Sequence, residues 1–131
     1  MLLRFQIPPI AKGRARFNIR SGTAYTPTKT RTFERAVKLS AIKQMQAAGF
    51  STILGPVSVS VVFVVNKPKT TKRPHPIMRP DIDNFLKSLF DSLNMVLWKD
   101  DSQIIKLLAE KTYPTPGMTS PGIILEVKEL I

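Results

Sequence analysis

The chain has 131 residues and carries 20 Lys and Arg against 9 Asp and Glu, a net charge of +11 at pH 7. It contains no cysteine and a single histidine, which excludes a disulfide framework, a thiolate metal site and a multi-histidine zinc centre. No apolar run approaches the ~20 residues that span a bilayer, and the first residues are too polar for a signal peptide. We therefore expect one domain over residues 1–131, cytoplasmic, without a membrane partner, whose basic surface favours nucleic acid.

The first half of the chain predicts a strand, a short hairpin, a helix and a long strand. Residues 2–7 alternate in polarity and stop at two prolines, and residues 11–25 fold back through a turn at Arg20-Ser21-Gly22. Apolar residues recur at three to four positions through 30–48, which is typical of an amphipathic helix. Residues 57–65 are rich in valine and predict a strand.

The second half predicts a basic loop, a second helix and two strands. Residues 66–80 hold four prolines and five Lys or Arg, which excludes regular structure. An apolar stripe predicts a helix over 82–97, and the strands follow at 103–113 and 123–130, separated by a Pro/Gly-rich loop. The predicted fold class is α+β, a mixed β-sheet with two α-helices packed on it.

All five aspartates lie between positions 81 and 101, in a chain whose first 80 residues carry 15 Lys or Arg and one acid. Such a carboxylate cluster in a basic frame can hold divalent metal against phosphates. Asp81 and Asp83 begin the second helix, and Asp100-Asp101 follow its end. A helix of about 15 residues spans ~22 Å, so Asp101 meets Asp81 only if the next strand returns beside the helix start or the helix is shorter. The alternative is a helix cap, an ordinary Asp83–Lys87 surface pair and a solvated turn.

Three segments carry a family resemblance. They are Asp81-Ile82-Asp83-Asn84 with Lys87, the internal Asp91-Ser92-Leu93, and Trp98-Lys99-Asp100-Asp101-Ser102-Gln103. In this order they resemble the RusA family of Holliday junction resolvases, which are Mg²⁺-dependent dimeric endodeoxyribonucleases often carried by phages and prophages. The stretch Pro8 to Phe17, with Tyr25-Thr26-Pro27 and Phe33-Glu34, is similar to the phage-type members. The resemblance covers essentially the whole chain.

The resemblance implies a role for several positions. Asp81, Asp83 and Asp101 match the catalytic metal ligands, with Asp100 as an alternative or a supporting ligand, and Lys87 matches the essential lysine. The implied cofactor is Mg²⁺, with Mn²⁺ able to replace it. We expect Asp91 to be structural.

The exposed cations predict the DNA contacts. Lys12, Arg14 and Arg16 alternate, so in an extended segment they share one face. The loop adds Lys67, Lys69, Lys72, Arg73 and Arg79. Some relatives place an unbroken arginine run directly before the first aspartate, whereas here the basic residues are spread upstream. Phe17 and Tyr25 are expected in the core of the hairpin, with stacking on exposed bases at a junction centre as the alternative. Trp98 is expected in the core or at a dimer contact.

The function that these observations predict is Mg²⁺-dependent resolution of four-way DNA junctions by paired symmetric nicks, in recombination or repair, by a bacterial or phage-encoded homodimer without a small-molecule substrate. Phe90 and Met95 fall off the main apolar stripe of the second helix, so we expect a partner subunit to cover them. Two alternatives stay open at this point: a non-catalytic basic DNA-binding module, and a broader nuclease of flaps and forks.

Overall fold

The computed structural model describes residues 1–117 and 120–131. Strand β1 is Leu2–Phe5, the hairpin strands are β2 (Arg16–Asn18) and β3 (Thr23–Tyr25), helix α1 is Thr28–Ala48, and strand β4 is Val57–Val64. Helix α2 is Ile82–Leu93, a 3-10 turn is Asp101–Gln103, and strands β5 and β6 are Ile104–Thr112 and Gly122–Glu129. The element order and the α+β class are confirmed. The predicted Pro/Gly-rich loop includes residues 118 and 119, which lie outside the described residues.

Four strands form one mixed sheet in the order β1-β6-β4-β5. β6 is antiparallel to both of its neighbours, whereas β4 and β5 are parallel and are connected through α2. Because parallel strands need a crossover, α2 runs from the end of β4 back to the beginning of β5. This arrangement places the two ends of α2 at opposite ends of the β4–β5 pair, and β5 lies at the edge of the sheet.

The core lies between one face of the sheet and the two helices. β4 buries Val57, Val59, Val61 and Phe63 on that face, while Ser58 and Ser60 on the other face are only half-buried. Helix α1 buries one residue per turn, from Phe33 to Met45, and ends at Gly49, whose φ of 64° is the left-handed conformation that favours glycine. The alternation and the helical spacing of the sequence therefore select the buried faces.

Helix α2 is shorter than the periodicity predicts. It ends at Leu93 rather than Leu97, and the chain turns at Met95, which has a φ of 66°. Val96, Leu97 and Trp98 continue the apolar pattern because they are buried after the turn, without being helical. Trp98 is fully buried, its Nε1 donates to Asn94 Oδ1 at 2.9 Å and its ring packs edge-on against Phe90, so it is a core residue.

The hairpin β2–β3 differs from its prediction. Every residue from 14 to 25 is exposed, and Phe17 and Tyr25 are 65% and 48% exposed rather than packed in a hairpin core. Two three-residue strands are too short to enclose side chains of their own. Neither helix in the described ranges has the length and apolarity to cross a bilayer.

Candidate active site

Asp81 and Asp83 lie together at the beginning of α2, and both side chains are exposed. Asp81 is the N-cap residue, but its carboxylate makes no capping hydrogen bond; its backbone carbonyl instead accepts from the N–H groups of Asn84 and Phe85. Neither carboxylate is in an ion pair within the described part of the chain. Two exposed carboxylates at a positive helix terminus are free to take an external ligand.

Lys87 lies one helical turn beyond Asp83, with a side chain that is 62% exposed. Its Nζ donates to Asp91 Oδ1 at 3.3 Å, so the predicted alternative of an Asp83–Lys87 surface pair is wrong. Asp91 also contacts Lys12, and its expected structural role is consistent with these two contacts.

The Asp100–Asp101 segment is fixed by a capping box. Asp100 accepts a hydrogen bond from the N–H of Ser102 at 3.0 Å, and its hydrogen bonding to Ser102 is the main reason why the pKa of Asp100 lies below its ordinary value. Gln103 accepts from the N–H groups of Lys99 and Asp100 and donates to the carbonyls of Ile53 and Gly55. Asp100 is therefore used locally, which favours Asp101 over Asp100 as the metal ligand.

The structure does not bring Asp101 to Asp81 within one chain. Asp101 lies where β4 and β5 begin, because Gln103 binds the segment before β4. Asp81 lies where they end, because Lys111 near the end of β5 donates to the carbonyls of Met78 and Pro80 at 2.9 and 3.0 Å. A strand of about eight residues separates them by roughly 25 Å. In residues 1–117 and 120–131, no three acidic or histidine side chains form a metal-binding group.

The prediction that Lys12 contacts DNA conflicts with its pairing. Its Nζ contacts Glu34 Oε1 and lies 3.2 Å from Asp91 Oδ2, and its side chain is only 26% exposed. Burial acts to lower the pKa of Lys12, but the hydrogen bonds and charges of Glu34 and Asp91 outweigh it and raise that pKa. Lys12 also precedes β2, so it does not share a strand face with Arg16. Arg14 and Arg16 are exposed as predicted.

The loop over 66–80 exposes all of its predicted cations, Lys67, Lys69, Lys72, Arg73 and Arg79. Its last residues are held beside Asp81 by Lys111, and Lys67 Nζ lies 5.8 Å from the centre of the Tyr113 ring. Two residues that support these segments, Lys111 and Gln103, have no role predicted from the sequence. Gln103 could have been found, because it belongs to the motif that carries the resemblance.

The comparison with known proteins agrees with these features. The family described as Endodeoxyribonuclease RusA matches residues 6–128, which contain both aspartate segments and Lys87. The chain belongs to the RusA family. RusA proteins are nucleases that act on branched DNA and depend on divalent metal. A protein of Bacillus subtilis strain 168 with the description Uncharacterized protein YqaN is 33% identical, over 80% of this chain and 82% of that protein.

The donor set fits the RusA metal requirement only in part. Asp81 and Asp83 offer the carboxylate oxygens that a hard cation prefers, in a place that DNA can reach. Two carboxylates leave several coordination positions for water and phosphate. Asp101, the third residue that the resemblance matches to a metal ligand, is at the other end of α2 in the same chain, so a set with all three carboxylates requires Asp101 from another chain.

Proposed function

We propose that this protein is a Mg²⁺-dependent endodeoxyribonuclease that resolves four-way DNA junctions by paired, symmetric nicks. The observation that carries this proposal is the exposed Asp81–Asp83 pair beside an exposed basic loop, in a chain of the RusA family. When bound there, Mg²⁺ supplies activation of water and offsets the charge that builds on the scissile phosphate. Lys87, one turn away and exposed, stabilises the same charge.

The protein's cations form two DNA-contacting groups in this proposal. The first is the hairpin with Arg14 and Arg16, and the second is the 66–80 loop that ends at Asp81. Both are exposed, and the first carries Phe17 and Tyr25 as stacking surfaces for unpaired bases at the centre of a junction. A binding module without catalysis does not require the exposed Asp81–Asp83 pair, which repels phosphate.

Cleavage of a synthetic four-way junction tests the proposal. The purified protein should cut two opposing strands symmetrically with Mg²⁺ and not with EDTA, and should leave a linear duplex of the same sequence intact. Asp83→Asn should abolish cutting while junction binding is retained or tightened, because the substitution removes a metal ligand and a repulsive charge together. Glu126→Gln, which removes an exposed carboxylate on β6, is the matched control. Equal cutting of junction, flap and fork would favour the broader nuclease.

The homodimer is the second part of the proposal, and strand β5 is its interface. β5 is an edge strand, yet Ile105, Leu107 and Leu108 are 67%, 42% and 71% exposed. An unprotected apolar edge is a site of strand pairing. By contrast, Phe90 of α2 is half-buried against Trp98, so of the two residues predicted for a partner only Met95, 74% exposed, remains uncovered.

The residues of β5 support one antiparallel pairing in the proposed dimer. The carbonyl of Thr112 accepts from Val65, so the even-numbered residues direct their backbone groups toward β4 and the odd-numbered ones toward the free edge. A twofold axis at Leu108 then pairs Leu107 with Ala109 of the partner subunit through backbone hydrogen bonds. The same register places Lys106 opposite Glu110 of the partner subunit, twice, with the two Leu108 side chains between these ion pairs.

In the proposed dimer, this pairing would supply the third carboxylate. Because the partner's β5 runs in the opposite direction, the beginning of one β5 lies beside the end of the other. Asp101 of the partner subunit then approaches Asp81 and Asp83, and the dimer holds two sites related by the twofold axis. Two sites suit two symmetric incisions.

Cross-linking tests the interface directly, because the chain has no cysteine of its own. Leu108→Cys should form a disulfide-linked dimer under mild oxidation, since the Cα atoms of a non-hydrogen-bonded antiparallel pair are close enough for the bond. Lys128→Cys, exposed on β6 inside the sheet, is the control and should stay unlinked. A protein that is monomeric in solution and forms no Leu108→Cys dimer would contradict this interface.

A further inference from the structure

Four charged side chains form a continuous series of contacts that ends at Lys87. Lys12 contacts Glu34 of α1 and lies 3.2 Å from Asp91 Oδ2. Asp91 Oδ1 accepts from Lys87 Nζ at 3.3 Å. Each oxygen of Asp91 therefore serves one lysine, and the ion pairs in the described residues all belong to this group.

The members of the group differ in exposure. Lys12, Glu34 and Asp91 are 26%, 27% and 21% exposed, whereas Lys87 is 62% exposed. An isolated exposed ion pair contributes little, because two long side chains lose conformational freedom to form it. Here Asp91 is already held by Lys12, so only the Lys87 side chain has to be ordered.

The backbone around Lys12 is attached to the same region. The N–H of Lys12 donates to the carbonyl of Asn84 at 3.3 Å, and the N–H of Gly13 donates to Thr30 Oγ1 at 3.1 Å. A Cβ at Gly13 would lie 2.5 Å from that Thr30 oxygen, so the segment packs closely against α1. The two residues that contact the Asp91 region are therefore well fixed: Lys12 by its packed backbone segment and Glu34 by helix α1.

Lys87 has two carboxylates within helical reach, Asp83 one turn before it and Asp91 one turn after it. The structure pairs it with Asp91. This choice leaves the Asp83 carboxylate available for metal and holds the ammonium group on the same helix, a turn away. A lysine paired with Asp83 would instead compete with the metal for its ligand.

We propose that Asp91 is a positioning residue for Lys87, and that Lys12 and Glu34 fix the Asp91 carboxylate for this purpose. The inference rests on the proposed function, since it assigns Lys87 to phosphate charge stabilisation. In this role Asp91 itself would touch neither metal nor DNA. Its effect on the reaction passes through Lys87 alone.

Steady-state cleavage of the junction by Asp91→Asn tests the inference. The substitution keeps the shape and removes the charge, and loss of such a supporting partner typically costs about 10–100-fold in activity. The loss should appear in kcat, with KM for the junction unchanged. Asp91→Glu, which restores the charge, should recover most of kcat, and Glu126→Gln should behave as wild type. An Asp91→Asn protein with wild-type kcat, or one that loses only junction binding, would overturn the inference.

The Lys87→Ala background separates positioning from a structural role. If Asp91 acts through Lys87, Asp91→Asn should lower kcat no further in a Lys87→Ala protein, whereas independent effects multiply. If Asp91→Asn does not fold, Glu34→Gln provides the second variant: Lys12 then relies on Asp91 alone, and kcat should fall by a smaller factor that also vanishes in Lys87→Ala. If Asp91→Asn or Glu34→Gln lowers kcat by the same factor in the Lys87→Ala protein as in the wild type, the inference is overturned. A wild-type protein that cuts no junction overturns the proposed function as well, whereas a cutting wild type with unchanged variants overturns only the role of Asp91.

Discussion

At the scale of single residues, the contacts of Lys12 determine what its charge does. A cation that faces Glu34 and Asp91 at short range has little capacity left for a phosphate, whereas Arg14, two residues later, is exposed. The charge of Lys12 thus holds α1 and α2 together around their carboxylates. The proposed DNA contact therefore falls to Arg14 and Arg16, which are exposed.

The first prediction concerns Lys12→Met and pH. The pKa of Lys12 is raised in the folded protein, so its stabilising contribution is complete below the ordinary lysine pKa of about 10.4 and is lost as pH rises through the folded-state value. Lys12→Met should therefore cost on the order of 1 kcal/mol of unfolding free energy at pH 8. The difference from wild type should shrink toward pH 11.

Urea unfolding at both pH values measures that difference. Lys43→Met is the matched control, because Lys43 is exposed on α1 and has no ion-pair partner in the described residues. It should leave stability unchanged at either pH. A Lys12→Met protein that is as stable as wild type at pH 8 would contradict a stabilising role for the contacts of Lys12 with Glu34 and Asp91.

The ion-pair partners of Lys12 could not be predicted from the sequence. Its alternation with Arg14 and Arg16 is visible in the sequence, but its partners are 22 and 79 positions away, at Glu34 and Asp91. Only the packing of α1 against α2 brings them together. The place of Asp81 and Asp83 at the beginning of α2 was predictable, because the N-terminus of a helix is set by neighbouring residues.

At the scale of elements, the hairpin β2–β3 stands apart from the core. Its strands have three residues each, all exposed, including the aromatic side chains of Phe17 and Tyr25. Exposed aromatic rings between arginines suit bases that are unstacked at a junction. Because its side chains are exposed, the hairpin adds little to the core, and we expect its contribution to lie in binding.

The second prediction concerns Phe17→Ala and Tyr25→Ala. Each should leave the thermal midpoint nearly unchanged, since neither ring is buried, and should weaken junction binding by about 1–3 kcal/mol if it stacks on a base. Fluorescence anisotropy with a labelled junction measures the change. Leu39→Ala, an exposed apolar residue on α1, is the control and should bind as wild type. If these variants have a lower thermal midpoint and unchanged junction binding, the two rings contribute to packing and not to DNA binding.

The boundary of α2 shows why element ends are harder to predict than elements. The apolar spacing continues through Val96, Leu97 and Trp98, so periodicity alone extends the helix to Leu97. Neither glycine nor proline marks the turn, which is made by Met95 at positive φ. Burial of Trp98 against Phe90 stabilises this turn, and that packing is tertiary.

At the scale of the whole molecule, the distribution of exposed cations determines which surface is available to bind DNA. The residues before Asp81 carry 15 of the 20 Lys and Arg. Without Lys12, seven of the predicted DNA-contacting cations are exposed, namely Arg14, Arg16, Lys67, Lys69, Lys72, Arg73 and Arg79. The proposed dimer would double this number on the surface that faces a four-way junction.

The third prediction is a steep salt dependence of binding. If about half of these cations touch phosphate, a dimer neutralises roughly 7 phosphates, and the slope of log K against log salt is about −6. Arg14→Ala should make the slope less steep by about 1 for each phosphate that the arginine neutralises, whereas Lys12→Met should leave it unchanged. A slope near zero, or an equal effect of both substitutions, would contradict the assignment of the two groups.

The position of Asp101 is a property of the whole molecule that the sequence left open. The resemblance predicts that it is a ligand, but its distance from Asp81 depends on the direction in which β5 runs relative to β4. The parallel β4–β5 pairing puts it at the far end. Sequence patterns within one chain do not give the position of a second subunit, so they could not predict whether Asp101 of a partner approaches Asp81.

Subunit mixing is the most direct test of the proposed site, which combines Asp81 and Asp83 of one subunit with Asp101 of the partner subunit. Asp81→Asn and Asp101→Asn proteins should each be inactive on a four-way junction. Mixed and allowed to exchange subunits, they should regain Mg²⁺-dependent nicking, because one of the two sites in the mixed dimer then receives an intact Asp81 and an intact Asp101 from different subunits. A mixture of Asp81→Asn with Asp83→Asn is the control and should stay inactive, since both substitutions fall in the same half of the site. Restored nicking in the first mixture alone is the result that this account predicts. No recovery in mixtures shown to contain mixed dimers would contradict it.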